Sequence, residues 1–311
     1  MAKYIAKRLL ILIPTLIAII FIIFSITELT PGSPGEIMLN EKATEEAIYE
    51  YNEALGYNRP FLVRFFDYVC KAFTGDLGNS WYTKRPVWDE IMKCFGQTIS
   101  LALVALCIAV AIGIPLGILS AVKQYTLFDI AGTTLAMILA AVPSFWLGLM
   151  LIIVFSLKLG LLPSHGLSSA IHYILPALTI AAPVIASLLR MTRTSMLESI
   201  RMDYIRTARA KGQKEWIVIW KHALQNAMLP IVTMVGTEFA GLLGGTVTVE
   251  LVFSIKGVGN MLLDAIRMKD IPLVIGGTVF LSAAFMLMML LVDILYAVID
   301  PRIKSRYAKA R

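Results

Sequence analysis

The chemically active side chains of this sequence are concentrated in a basic segment at positions 190–230. Eight bases stand there against three acids: Arg190, Arg193, Arg201, Arg206, Arg209, Lys211, Lys214 and Lys221 against Glu198, Asp203 and Glu215. One Arg or Lys at the centre of a spanning helix costs about 2.5 to 3.5 kcal/mol, so eight of them cannot lie in hydrocarbon. We therefore expect the segment in water, and its positive charge favours the cytoplasmic side of a membrane.

Within this segment, a short helix is predicted from Asp203 to Gly212, because glycine is the usual residue just past a helix end. Ile205, Ala208 and Gly212 fall at i, i+3 and i+7 and form one narrow face of small and apolar residues. We interpret this face as suited to docking in a groove of a soluble partner. The alternative is a basic helix lying on anionic lipid, and periodicity does not separate the two.

Patterns for catalysis and metal binding are missing from the sequence. No Gly-Lys dipeptide occurs, hence no phosphate-binding P-loop, and neither G-x-S-x-G nor H-E-x-x-H is present. Cys70, Cys94 and Cys107 lack C-x-x-C spacing, so neither a zinc site nor a disulfide framework is indicated, although a Cys70 to Cys94 bridge outside the membrane stays open. We expect no catalytic residue, metal site or cofactor on this chain, and any ATP and Mg²⁺ would be bound by partner subunits.

The composition predicts a membrane protein with several spans. Hydrophobic residues make up 58% of the 311 positions and the mean hydropathy is +0.76. The net charge of +7 lies in loops that flank the membrane, so we predict no nucleic-acid partner. The fold class is therefore predicted to be all-α and polytopic.

The elements that position the basic segment follow from the uncharged runs. Residues 1–29 are expected to form a cytoplasmic N-terminus and first span, 30–97 an extracytoplasmic segment, and 98–300 a core with five more spans. A basic cytoplasmic loop, 190–222, interrupts this core. The spans are predicted at 9–27, 98–122, 130–157 with a break at Pro143, 174–189, 223–249 and 271–292, with 250–270 as an outer loop and 301–311 as a cytoplasmic tail.

Charge counts support this topology. Loops assigned inside hold 17 Lys and Arg residues, whereas those assigned outside hold 11, of which seven belong to the 30–97 segment. Long translocated segments contribute little to orientation, so the bias among short loops is strongly positive inside. Both termini are predicted in the cytoplasm.

Glu238 is the ionisable residue that stands out within a predicted span. A carboxylate there is costly and usually faces a cavity or a partner. It is a candidate pathway residue that meets a cationic group of the substrate. Alternatively, it is protonated or paired with a neighbouring helix.

The basic segment contains three motifs: the residues from Thr207 to Gly212, His222-Ala223-Leu224-Gln225-Asn226-Ala227, and Leu229-Pro230. Together they resemble the "EAA" loop of ABC importer permeases, which is a coupling loop. The segment is similar above all to the peptide and nickel branch, and the resemblance extends to the Asp300-Pro301-Arg302 ending. Arg206 stands where the family name expects Glu, the usual proline near the glycine is missing, and Lys256 replaces a common proline.

The resemblance implies a type I ABC importer transmembrane domain, which is half of a translocation pathway. Implied partners are a second homologous permease, two ABC ATPase subunits, an extracytoplasmic solute-binding protein and membrane lipid. The residues implied for ATPase coupling are Asp203, Thr207, Ala208, Arg209, Ala210, Lys211 and Gly212. Di- or oligopeptides are the expected substrates, with nickel or a metal chelate as the alternative. A passive channel or membrane scaffold is the alternative from another class.

Overall fold

The computed structural model describes residues 2–39 and 43–299, and within them the chain is helical without a strand. The α-helices are α1 Ala2–Glu28, α2 Pro34–Leu39, α3 Glu45–Ala54, α4 Phe61–Phe73, α5 Val87–Val122, α6 Leu127–Ala141, α7 Ser144–Leu151, α8 Ile174–Ile200, α9 Asp203–Ala210, α10 Glu215–Ile217, α11 Leu224–Gly245, α12 Val247–Val252, α13 Val258–Met268 and α14 Ile271–Ile299. Two π-helical stretches, Ile152–Lys158 and Val218–Ala223, follow α7 and α10.

Among the residues that the structure describes, five helical stretches are long and apolar enough to cross a membrane: Arg8–Glu28, Val87–Val122, Ala170–Ile200, Glu215–Gly245 and Ile271–Ile294. A further pair, Leu127–Ala141 and Ser144–Lys158, passes together but is bent by 102°. The bend lies at the predicted break, where Pro143 precedes α7 and removes a backbone donor. The predicted tail 301–311 and its Asp300-Pro301-Arg302 ending lie outside the described residues.

The chain forms two compact units, and the first comprises Gln97–Ile255 with residues 2–5 and 285–299. Here α5 and α8 pack closely because two glycines of α5 face α8. A Cβ atom on Gly113 would lie 2.9 Å from the Leu188 Cβ, and one on Gly117 would lie 2.6 Å from the Thr192 Cβ. The earlier glycine of α5 therefore contacts the earlier of the two α8 residues, and the later glycine contacts the later one, so the two helices run in the same direction.

The bent pair runs along α8 in the opposite direction. Asp129 at the start of α6 binds Arg193, with 2.7 Å between Nε and Oδ1. A Cβ on Gly148 in α7 would lie 3.4 Å from Cγ2 of Thr179. Thr179 and Arg193 are 14 positions apart on α8, which is about 21 Å at the helical rise per residue.

The second unit comprises Ala6–Gly96 and Lys256–Ala284. One of its hydrophobic clusters joins α1, α4 and α14 through the buried side chains Ile20, Phe65, Val69, Ile275 and Val279. The segment predicted to be extracytoplasmic thus buries apolar surface against two spans.

Two predicted boundaries differ from the observed elements. Helix α5 begins at Val87 rather than near residue 98, because the helix continues beyond the uncharged run and has acidic residues in its first turn, where they favour the helix dipole. The predicted outer loop at 250–270 contains helix α13. The first and last residues of this loop, Glu250 and Asp270, are buried. Asp270 accepts hydrogen bonds from the Ser80 hydroxyl at 2.5 Å and the Trp81 amide at 3.1 Å, which offset the cost of its burial.

Candidate functional site

The predicted helix of the basic segment is present as α9, and its end is fixed by backbone hydrogen bonds. Met202 is extended at the N-terminal side, and Asp203 places a carboxylate in the first turn. At the other end, the Gly212 amide donates to the Arg209 carbonyl at 2.9 Å, and the Gln213 amide donates to the Ala208 carbonyl at 3.3 Å. This pair of bonds is a Schellman motif, which requires a left-handed residue, and Gly212 has φ +72°.

The small and apolar face of α9 points into the protein, which corrects the predicted docking face. Ile205 is 0% exposed and Ala208 is 7% exposed. Both belong to a hydrophobic cluster that includes Ile118 of α5, Met196 of α8 and Ile231 of α11. Ala208 is thus a core residue that leaves little surface for a partner. The chain itself covers Ile205 and Ala208, whereas Gly212, the third member of the predicted face, is exposed.

Polar contacts fasten α9 to its neighbours. Ser199 at the end of α8 donates to the Ala223 carbonyl at 2.8 Å, so the Tyr204 hydroxyl, 2.6 Å from the Ser199 hydroxyl, is the donor in that second bond. Arg209 binds Glu215 through two hydrogen bonds of 3.1 and 2.6 Å. These hydrogen bonds raise the pKa of the Arg209 guanidinium above its ordinary value, because they stabilise its charged form.

The opposite side of α9 is exposed. Asp203, Thr207 and Ala210 lie on it, Lys211 and Gly212 are exposed just past the end of the helix, and Arg209 is exposed at the edge of the buried face. An added Cβ on Gly212 would meet no atom within 4 Å, so the end of the helix is open as well. The structure therefore brings six of the seven predicted coupling residues to one accessible surface, here called the α9 surface, and places the seventh, Ala208, beneath it.

A buried ion pair in the C-terminal half of α8 was not predicted from the sequence. The Asp129 carboxylate, 3% exposed, accepts hydrogen bonds from the Arg193 guanidinium at 2.7 and 2.8 Å, the Tyr125 amide at 2.9 Å and the Ser120 hydroxyl. These bonds hold the turn between α5 and α6 against α8. The available signal was a lone carboxylate at the start of an apolar run and a base at the end of another, because such charges are usually paired.

Glu238 and Glu250 differ in burial. Glu238 is partly buried on α11. Glu250, expected in an outer loop, is 0% exposed and accepts hydrogen bonds from Thr98 at 2.7 Å and Thr246 at 3.0 Å. The role of Glu238 as a pathway residue stays a prediction. Through its two hydrogen bonds, Glu250 connects α5 to the break between α11 and α12.

Comparisons with known proteins identify the family. The family model "Binding-protein-dependent transport system inner membrane component" matches residues 113–305, and the corresponding N-terminal model matches residues 1–102. The glutathione transport system permease protein of Pectobacterium atrosepticum is 41% identical over 98% of this chain and 100% of its own length. The dipeptide transport system permease protein of Alkalihalophilus pseudofirmus is 39% identical, again over 98% and 100%.

Solved structures show the same fold. An inward-facing structure of the MetNI methionine ABC transporter matches with a TM-score of 0.58 and 17% identity, covering 68% of this chain and 96% of that chain. A structure of an amino acid ABC transporter matches with a TM-score of 0.53 and 14% identity, covering 69% and 94%. The predicted all-α polytopic fold of a type I ABC importer transmembrane domain is thereby confirmed. The chain belongs to the family of binding-protein-dependent transport system inner membrane components, in the branch of ABC importer permeases that includes the glutathione and dipeptide systems.

Proposed function

We propose that this chain is the permease subunit of an ATP-driven importer of small peptides and that the α9 surface receives the force of separate ATPase subunits. One observation carries the proposal: α9 is exposed on one side and on the other is packed in a cluster shared with Ile118, Met196 and Ile231, each on a different span. A push on the exposed side is therefore delivered to α5, α8 and α11 together. Membership of an ABC importer family implies ATPase and binding-protein partners.

The proposed coupling residues are Asp203, Thr207, Arg209, Ala210, Lys211 and Gly212, with Ala208 acting from the buried side. ATP and Mg²⁺ are bound by the partner subunits in this proposal. Closure of those subunits displaces α9, and the displacement shifts the spans between inward-open and outward-open arrangements. A second homologous permease supplies the other half of the pathway, and two ATPases and one external binding protein complete the assembly.

The proposed orientation places the α9 surface and both termini in the cytoplasm. Because α5 and α8 run in the same direction, the chain between them crosses the membrane once, and the bent pair makes that crossing. The pair also advances about 21 Å along α8, which is most of the roughly 30 Å hydrocarbon core. Six crossings then leave both ends on one side, and the basic loops place that side inside.

The peptide assignment rests on relatives along the full chain. They are named for transport of glutathione, which is a tripeptide, and of dipeptides. In this proposal the external binding protein selects the peptide, and Glu238 on α11 meets the charged amino group during passage. An uptake assay with the reconstituted complex, comparing labelled dipeptide, glutathione and Ni²⁺, tests the assignment. Uptake of Ni²⁺ alone would overturn it.

The docking proposal is tested by filling the α9 surface. Ala210 is exposed, so Ala210→Trp leaves the buried face of α9 intact. We expect this variant to lose co-purification with the ATPase subunits and ATP-dependent uptake. Ala54→Trp is the matched control, because Ala54 is an exposed alanine on α3 in the other unit. A passive channel would show unchanged uptake in both variants, and a scaffold would show no uptake in any of them. Either result contradicts the proposal.

A further inference from the structure

We infer that α4, in the segment between the first and second spans, is an interfacial helix whose outer face is inserted among the lipids of the outer leaflet. The outer face of α4 is defined by Leu62, Phe66, Cys70 and Phe73. Leu62 is 58%, Phe66 60% and Phe73 52% exposed, and Cys70 is exposed too. At about 100° per residue, these four positions fall within an arc of about 80°. The inference goes beyond the transport function and does not depend on it.

The polar side chains of α4 lie on another side of the helix. Arg64 binds Glu28 at 2.6 Å and lies over the Tyr57 ring at 4.3 Å, and Lys71 binds Asp67 at 2.8 Å. Arg64, Asp67 and Lys71 line a pocket of about 660 Å³ in this unit, whereas none of the outer-face residues does. The helix thus has one side turned to a polar pocket and another that is apolar and exposed. This division is typical of helices that lie in a membrane interface.

The neighbouring helix determines what covers the outer face. Helix α1 includes the span Arg8–Glu28, and only 6% of its apolar 18-residue window is buried inside the chain, so most of this span is open to lipid. Phe21 of α1 is 45% exposed and makes edge-to-face contacts with Phe61 and Phe65, with centroids 6.1 and 5.4 Å apart. The outer face of α4 therefore continues the lipid-facing surface of α1.

The depth of α4 follows from its contacts with the two spans. Phe21 and Phe24, which contact α4, lie seven and four residues before the end of α1 at Glu28, or about 10 and 6 Å along the helix. Ile275, in the same cluster as Phe65, lies four residues after the start of α14 at Ile271, again about 6 Å. Both spans give a depth that matches the roughly 5 to 10 Å at which interfacial helices lie.

The test measures the environment of single nitroxide labels in the assembled transporter, reconstituted in lipid nanodiscs. Cys70 is a native exposed thiol on the outer face, so Cys94→Ser with Cys107→Ser leaves it as the one labelling site. A second label at Phe66→Cys and a control at Lys71→Cys, both with Cys70→Ser added, sample the outer face and the polar side. Collision rates with oxygen, which partitions into lipid, and with a water-soluble nickel chelate are measured at each position.

We expect labels at positions 66 and 70 to collide at least several-fold more often with oxygen than with the nickel chelate, and the label at 71 to show the reverse. Nickel-chelate collisions that dominate at 66 and 70 would place α4 in water and overturn the inference. Low collision rates with both reagents at 66 and 70 would show that another protein subunit covers the outer face, and this result overturns it equally.

Discussion

Two arginine–carboxylate pairs near α9 have similar geometry but different burial, and this difference predicts different energies. Arg193 and Asp129 are 2.7 Å apart with side chains 23% and 4% exposed, whereas Arg209 and Glu215 are 2.6 Å apart with side chains 42% and 57% exposed. An exposed pair contributes about 0 to 1 kcal/mol because water screens it. Breaking a buried pair leaves an uncompensated charge and costs more.

We therefore predict that Asp129→Asn destabilises the protein far more than Glu215→Gln does. Asp129→Asn removes the charge that four hydrogen bonds surround, so a loss of about 2 to 5 kcal/mol is expected. Glu215→Gln is the matched control, with an expected loss of about 1 kcal/mol or less. The temperature at which each detergent-solubilised variant loses its monodisperse size-exclusion peak measures the difference. Equal shifts would show that burial does not decide the strength of these pairs.

The end of α9 allows a second prediction at the scale of one residue. Gly212 has φ +72° and open space around it, so a side chain there meets backbone strain and no clash. Gly212→Ala is expected to destabilise the helix end by about 1 to 2 kcal/mol, whereas Gly212→Asn should cost less, because Asn tolerates this conformation. Co-purification with ATPase subunits is expected to fall in the order Gly, Asn, Ala. An Ala variant that binds as well as the Asn variant would contradict the role of the backbone turn.

The local features of this site could be predicted from sequence, and the distant ones could not. The helix end at Gly212 depends on neighbouring residues, so the sequence predicts it. The apolar face with Ile205 and Ala208 was also predicted, but periodicity does not state whether the chain or a partner covers that face. Asp129 and Arg193 are 64 positions apart, so local patterns mark each of them as a charge beside an apolar run but do not predict that they pair.

The close approach of helices α5 and α8 depends on two glycines of α5. A Cβ on Gly117 would lie 2.6 Å from the Thr192 Cβ and 2.8 Å from the Leu189 carbonyl oxygen. The carbonyl oxygen belongs to the backbone of α8, so a change of side-chain rotamer cannot relieve that contact. Gly113 and Gly117 thus form a G-x-x-x-G pattern of the kind that lets membrane helices pack closely.

We predict that Gly117→Ala pushes these two helices apart and costs about 1 to 3 kcal/mol, as expected for an overpacked contact. Gly132→Ala in α6 is the matched control, because an added Cβ there meets nothing within 4 Å. Alanine also has the better helix propensity, so the control should be neutral or slightly stabilised. Thermal stability of the two purified variants is the measurement. If the Gly117→Ala protein is as stable as the control, the interface between α5 and α8 accommodates the added methyl group without loss of stability, and the prediction is wrong.

The segment between the first two spans illustrates what a charge count leaves open. Its composition predicted an extracytoplasmic segment. Helix α4 nevertheless buries Phe65 and Val69 against α1 and α14, because its charges are confined to one side. A charge count over a whole segment averages over the two sides of each helix, whereas the position of each side chain around the helix decides where the segment lies.

At the scale of the whole molecule, the number of crossings decides which loops share a side of the membrane. Length and apolarity give five spans, or six if the bent pair counts as one. The sequence predicted one span at 130–157 with a break at Pro143. The contacts with α8 give the relative directions of the helices: α5 runs parallel to α8, and the bent pair runs against it.

We predict that residues flanking the bent pair lie on opposite sides of the membrane. Lys123 precedes the pair and Ser168 follows it, and both are exposed. In a variant without native cysteines, a membrane-impermeant maleimide applied to intact spheroplasts should label Ser168→Cys and spare Lys123→Cys until the membrane is opened. Lys214→Cys, in the loop after α9, is expected to behave as Lys123→Cys does, because two crossings separate them. If the pair instead turned back within the membrane, Lys123→Cys and Ser168→Cys would label alike, and Lys214→Cys would label unlike both, on the side that no ATPase subunit can reach.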